Sequence, residues 1–458
     1  MKKLLSSIPD VRVRRSLAAS TVDAGLWALM FGFAEYFILP FAILFGADAL
    51  QTSLVSGMGQ LGVAAAQLLG PPLVVLVGSR RRLSRGAVLV HAASWAALYA
   101  VAAITREPWT VVVLYSLGLF ATSLAGPGWL SWMNDLVPPR IRGAFWGERN
   151  RVAGLAQFAA IASGGLVLRL AEPAGRTLEA FGLLFGLAAL ARGLCVVALG
   201  RQHEPPPAPP EPGEEGGLRA FPGGLGGTGF GRFVAFSVLL TFSANVMGPV
   251  FSVYLLKSLG LDYFSYTAVT MIAMVLSFLA MVYWGPLADR FGNRRILLVT
   301  SGALPLVALG WAFARTIPAM LVLQAFSGFV WAGVNLATTN YIFDSVPSRK
   351  VAGTMAGFNA LSNVAAFAGS LAGGLLATAV AGLRLPFLAP GNLELVFLAS
   401  ALLRFLVYLF LGRGFPEPRE VERSPSVPHF YVYQPFTRIV GRFMTLPEEE
   451  NEGEKSGS

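Results

Sequence analysis

The sequence predicts an all-α integral membrane protein, with twelve transmembrane helices arranged as two similar six-helix halves. Three observations carry that expectation. The 458 residues are 55% hydrophobic and only 13% charged, whereas soluble domains carry roughly 25% charged residues. Apolar runs of about 20 residues, the length that crosses a bilayer, recur roughly twelve times and use most of the chain. The two halves also end alike. Ala191-Arg192-Gly193-Leu194 through Gly200-Arg201, ahead of Glu204-Pro205, parallels Leu403-Arg404-Phe405-Leu406 through Gly412-Arg413, ahead of Pro416-Glu417-Pro418, at an offset of about 212 residues.

Taken in order, the first-half spans are expected at 24–44, 52–77, 87–104, 111–132, 152–170 and 178–199. The apolar run 24–46 exceeds the roughly 7–15 residues of a signal-peptide core, so it reads as a retained first span. Residues 200–231 open with Glu204-Pro205-Pro206-Pro207 and turn Gly-rich, the composition of a polar linker with a stiff start. The second half is expected at 233–256, 266–284, 296–313, 318–342, 354–380 and 393–411. The domains are therefore 1–199, a linker at 200–231, 232–413, and a tail at 414–458 whose acidic end reads as disordered. Within that tail, 430–436 and 439–443 are candidates to rest on the membrane surface.

The net charge of +10 raises the question of a nucleic-acid partner, and the placement of the basic residues answers it. Lys2, Lys3, Arg12, Arg14 and Arg15 precede the first span, Arg80, Arg81, Arg82 and Arg85 follow the second, and Arg140 and Arg142 follow the fourth. Loops 46–51 and 104–110 carry little or no basic excess. The positive-inside rule then puts both termini and the linker in the cytoplasm, with the chain in the plasma or inner membrane and no call for nucleic acid.

Gly285-Pro286-Leu287-Ala288-Asp289-Arg290-Phe291-Gly292-Asn293-Arg294-Arg295 lies between two apolar runs. Glycine and proline there are expected to break the helix, and the arginines to hold a tight cytoplasmic hairpin. The stretch resembles the Gly-x-x-x-Asp-Arg-x-Gly-Arg-Arg signature of the major facilitator superfamily at Gly285, Asp289, Arg290, Gly292, Arg294 and Arg295. The resemblance extends over nearly the whole chain to Gly412 and implies two six-helix halves related by an axis along the membrane normal, with a solute site between them. It also implies that Asp289 holds the cytoplasmic gate and that the first, fourth, seventh and tenth helices line the cavity. The first half echoes the signature as Gly70-Pro71 followed by Gly78-Ser79-Arg80-Arg81-Arg82, with Val74 and Val75 where the acid would stand. An asymmetric gate is the expectation. The fourth span lacks the arginine of the proton-linked superfamily motif and the fifth lacks the Gly-Pro signature of drug antiporters, which weakens a drug-efflux assignment.

Polar residues inside the spans supply the candidate sites. Glu35 falls about 11 residues into the first span, near the bilayer midplane, where an isolated charge costs about 2.5–3.5 kcal/mol on insertion scales. It binds a proton or a cationic solute, or it is a protonated or paired carboxyl tying helices together; the sequence leaves both open. Gln324, Ser327, Trp331, Asn335 and Thr338 share one face of the tenth span, and Ser237, Thr241 and Asn245 one face of the seventh. They either line a cavity or glue helices. Arg192 and Arg404, within about 8 residues of cytoplasmic helix ends, are expected to snorkel. Asp135 and Asp344 are expected to order the cytoplasmic loops with nearby arginines, Arg142 and Glu148-Arg149-Asn150-Arg151 being at hand. His91 and the single cysteine, Cys195, read as packing residues.

No Gly-x-x-x-x-Gly-Lys-[Ser/Thr] loop is present, and His91, His203 and His429 are scattered. No cofactor, metal centre or enzyme chemistry is therefore expected. The sequence reads as a secondary transporter of a small solute by alternating access, with protons as a candidate coupling ion and the direction open. A transport-inactive membrane sensor or scaffold of the same fold is the alternative. Solute, ion and oligomeric state are not legible.

Overall fold

The computed structural model describes residues 8–206, 228–383 and 392–421, side chains at 348, 349 and 352 excepted. Most of the expected linker, the acidic end and the segments 430–436 and 439–443 lie outside the described residues. Twelve helices among those described are long and apolar enough to cross a membrane. In the first half these are α1 (Val11–Leu44), α2 (Ala49–Val77), α3 (Arg80–Thr105), α4 (Pro108–Leu136), α5 (Pro139–Ala174) and α6 (Thr177–Gly200). The second half holds α7 (Gly229–Ser258), α8 (Tyr263–Phe291), α9 (Asn293–Phe313), α10 (Ile317–Ser345), α11 (Gly353–Val380) and α12 (Glu394–Leu411).

Local chemistry fixes the helix ends. Asp10 caps α1 by accepting from the Arg12 amide at 2.7 Å, so the arginine-rich stretch before residue 24 is helical rather than a loop. Asp48 and Gln51 form a reciprocal capping box at the start of α2, and Asp262 accepts from the Phe264 and Ser265 amides, 2.9 Å each, at the start of α8. Pro40 has no amide to give the Tyr36 carbonyl, and α1 loosens into a 3₁₀ turn over Glu35–Phe37. The counterpart helix of the second half carries an irregularity of its own at the far end. There α7 widens over Tyr254–Ser258, where the Leu259 amide bonds to the Tyr254 carbonyl five residues back.

The expected break at Gly285-Pro286 does not occur. Helix α8 runs through both residues to Phe291, and the chain turns at Gly292, whose φ of 87° suits glycine. Proline is tolerated inside a membrane helix because neighbouring groups satisfy the freed carbonyl.

Packing repeats with every helix number advanced by six: α1 lies on α5 and α6 as α7 lies on α11 and α12, and α4 on α2 and α3 as α10 on α8 and α9. The halves meet along α2 with α11 and α5 with α8. Small residues permit the approach. A Cβ on Gly374 would lie 2.8 Å from the Ser53 Cβ, and one on Gly57 3.2 Å from the Phe367 ring and Ser370.

The hydrophobic clusters differ between the two ends of the bundle. At the end carrying the linker, one cluster draws only on the second half, around Phe233, Trp284, Ile296 and Tyr341, and a separate one only on the first, around Leu17, Trp132, Phe145 and Leu199. At the far end the clusters cross between halves. Ile43 is buried with Val246, Met247 and Val250, and Tyr263 packs on the core of the first half, edge-on to Phe181.

Candidate functional site

Hydrogen bonds reinforce the far-end closure. Tyr36 and Thr270 share a hydroxyl contact between α1 and α8, and Lys257 donates from α7 to the Gly46 and Ala47 carbonyls, 2.9 Å each. The Arg169 guanidinium lies 4.6 Å over the Phe264 ring at the same end.

The polar face expected of the tenth helix divides in two. Gln324, Ser327 and Trp331 of α10 converge with Asn245 of α7 on a cavity of about 370 Å³ that Phe251, Trp311 and Arg404 also line. Asn335 stands exposed and Thr338 partly so, further along α10 towards the linker end, and neither lines that cavity. Of the seventh-helix stripe, Asn245 back-bonds to the Thr241 carbonyl at 2.9 Å, and Ser237 is buried with its hydroxyl lacking a partner. The hydrogen bonds of this stripe stay within α7, and of its three residues Asn245 alone lines the cavity.

Glu35 lies across in the first half, on the loosened turn of α1. The Tyr115 hydroxyl of α4 donates to its carboxylate, and the Arg192 guanidinium acts on it electrostatically. Arg192 also donates to His91 Nδ1 at 3.3 Å and to the Thr122 hydroxyl at 2.9 Å. Its charge is shared with Asp23, which itself faces Arg149 at 3.7 Å. Sequence reasoning missed this cluster because its members come from five helices.

The expectation that Arg192 and Arg404 snorkel is wrong. They are 7% and 4% exposed and spend their donors inside the bundle, Arg404 on the Leu304 carbonyl at 3.2 Å and the Ala244 carbonyl at 3.5 Å. Distance along the helix suggested an escape to the interface, but both side chains leave on the inward face, where carbonyls and polar side chains accept from them.

At the linker end the acids are held by partners other than those expected. Asp135 pairs with Arg80 at 2.5 Å, and Arg80 also bonds to Ser131 and the Pro205 carbonyl. Asp344 takes Arg419 at 3.0 Å and the Asn293 amide group at 2.6 Å. The segment opening α5 is not the source: Arg151 pairs with Glu148, Arg149 lies over Trp129 and Trp146, and Arg142 bonds to the Asn134 carbonyl. Each half adds a glutamate that caps a helix start. Glu204 accepts from the Ser79 hydroxyl and the Arg80 amide, both at 2.7 Å, and Glu417 from the Arg294 amide at 2.7 Å.

These two carboxyls titrate in opposite directions. Partial burial pushes Glu204 up, but the Ser79 and backbone hydrogen bonds and the Arg80 charge outweigh it and hold the group below its ordinary value. Burial dominates at Glu417 and raises it despite its amide partners and Arg419, with Asp344 adding repulsion.

Asp289 is exposed and has no partner among the described residues. The Arg290 guanidinium lies 5.2 Å from the Phe291 ring. Arg294 lies 5.8 Å from Phe415, and Arg294 and Arg295 line a groove with Tyr408 and Arg413. Gly285 is an ordinary helical residue with open space at its Cβ. No group of three or more metal-ligating side chains occurs among the described residues.

A sequence model described as Major Facilitator Superfamily matches residues 233–445. No curated protein matches the chain. Solved structures of similar fold include a bacterial homologue of the human lysosomal transporter Spinster, inward-facing and unoccupied, at a TM-score of 0.65 and 16% identity, covering 92% of this chain and 100% of that one. The nucleoside transporter NupG aligns at 0.61 and 15% identity over 87% of this chain and 98% of its own. A D-xylose-proton symporter aligns at 0.65 and 16% over 90% and 100%. The Major Facilitator Superfamily sequence match covers the second half of the chain, and the fold of these solved structures extends over both halves.

Proposed function

We propose that the chain is a secondary transporter that moves a small solute by alternating access, here closed at the far end and parted at the linker end. The observation that carries this reading is the difference between the ends: hydrophobic clusters shared by both halves at one, a separate cluster for each half at the other. Such an arrangement suits rocking of two rigid halves about a site at mid-depth. The basic residues at the linker end support a cytoplasmic placing of that end and of both termini, in a protein of the cell membrane. Glu35 is the candidate proton carrier, since Tyr115 and Arg192 offer its carboxylate partners that a protonated form does not need. The similar solved structures include transporters named for a nucleoside and for xylose with a proton, which supports a small solute as cargo.

Counterflow in proteoliposomes, with and without an imposed proton gradient, tests the reading. Saturable exchange of a small solute is the expected result. Absence of exchange across neutral, cationic and anionic solutes would favour the transport-inactive sensor, a reading to which the exposed, unengaged Asp289 lends some weight.

A further inference from the structure

The two inward-facing arginines occupy matching helices, α6 and α12, yet their surroundings differ in one respect. Arg192 lies in the field of two carboxylates, Glu35 and Asp23. Arg404 has none. Its hydrogen bonds go to the Leu304 and Ala244 carbonyls at 3.2 and 3.5 Å, the long end of the useful range, and its Nε has no partner. From α7, the counterpart of α1, it meets the Met247 thioether at 4.0 Å, where the first half offers Glu35. A guanidinium keeps its charge at any physiological pH, and an uncompensated cation buried at mid-membrane is costly unless something supplies the missing charge.

Arg404 also lines the cavity of about 370 Å³ with Asn245, Gln324 and Ser327, while Phe251, Trp311 and Trp331 give it apolar walls. That volume is at the small end of ligand pockets, about 300–1,000 Å³. We propose that this cavity binds a small organic acid, its carboxylate on the Arg404 guanidinium and its body against the aromatic walls. The assignment rests on the reading of the chain as a solute carrier and names the class of its cargo. The arginine fork pairs with a carboxylate through two parallel N–H donors, and Gln324 and the second amide hydrogen of Asn245 are further donors on the same lining.

The test uses the full chain, purified in detergent, with benzoate as the probe acid. Benzamide and benzylamine serve as its neutral and cationic counterparts, and inorganic phosphate as a bare anion. Benzoate is expected to raise the unfolding temperature saturably, and the other three to leave it unmoved. Arg404→Gln abolishes the response, and Arg404→Lys weakens the apparent affinity by about tenfold by keeping charge without the fork. Met247→Glu keeps Arg404 but supplies an internal carboxylate, so it also abolishes the response and stands in should Arg404→Gln fail to fold. No shift with benzoate, an equal shift with benzamide, a shift with phosphate alone, or a benzoate shift surviving in either Arg404→Gln or Met247→Glu would overturn the proposal. Counterflow separates it from the carrier reading. Exchange of a neutral or cationic solute that persists in Arg404→Gln defeats the anionic cargo alone, whereas benzoate stabilisation without any exchange leaves the site standing and defeats the carrier.

Discussion

Lys257→Met should release the far end of the bundle. Lys257 joins the halves through two hydrogen bonds, 2.9 Å each, to the Gly46 and Ala47 carbonyls, and methionine keeps the apolar stem while removing the donor. A bond to a charged group is worth about 1.5–3 kcal/mol when sheltered. Lys257 is exposed, so solvent screening leaves about 1 kcal/mol for the pair together. That shifts a two-state equilibrium about fivefold. Thr105 and Thr316, both exposed at far-end helix termini of opposite halves, provide label positions once the lone Cys195 is replaced. Pulsed electron resonance between spin labels there should show the longer-distance population gaining about fivefold relative to the shorter one. A ratio unchanged by Lys257→Met would refute the latch and weaken the argument that the far end is held shut by inter-half contacts.

Three further outcomes are expected. Glu35→Gln should retain counterflow exchange but lose accumulation driven by a proton gradient; accumulation equal to the parent's would leave Glu35 as a tie between helices. Glu204→Gln should destabilise the protein at pH 7 by about 1 kcal/mol after discounting for its exposure, because a carboxyl held below its ordinary value stabilises the fold above that value. That contribution fades as pH falls through the lowered value. Glu417 runs the other way: its raised value means a contribution present below the ordinary carboxylate range and lost as pH rises through the folded one, so Glu417→Gln should cost nothing at pH 7. Thermal unfolding of both variants from pH 7 to 4 checks the pair. Gly373→Val should prevent folding of the second half, since a Cβ there would collide with the Val246 backbone carbonyl, and loss of the monodisperse species on size exclusion reports it.

The twelve helices were legible because apolar length is a strong signal, and their pairing because the second half repeats the first. The ends were less so. Arg12, Arg14 and Arg15 look like loop to a hydropathy reading, yet Asp10 caps them into α1. Gly285-Pro286 looks like a break, yet the turn falls at Gly292, where backbone conformation rather than apolarity decides. Of the candidate site, Asn245, Gln324 and Trp331 do share a cavity, since a helical face can be read from spacing alone. Arg404 was misassigned because its value depends on which way the side chain leaves α12, and spacing from the helix end is silent on that. The Asp135–Arg80 and Asp344–Arg419 pairs were hidden for a related reason: each joins residues more than 50 positions apart.

The widened turn at the end of α7 has a geometric consequence for the latch. Carrying a hydrogen bond across five residues in place of four inserts one extra position, which delays every later side chain by about 100° around the helix axis. Lys257 stands inside that insertion. Deleting one residue there would return the segment to regular winding and swing the ammonium group about a quarter-turn away from α1, so the clasp depends on a spare residue in the backbone as much as on the lysine.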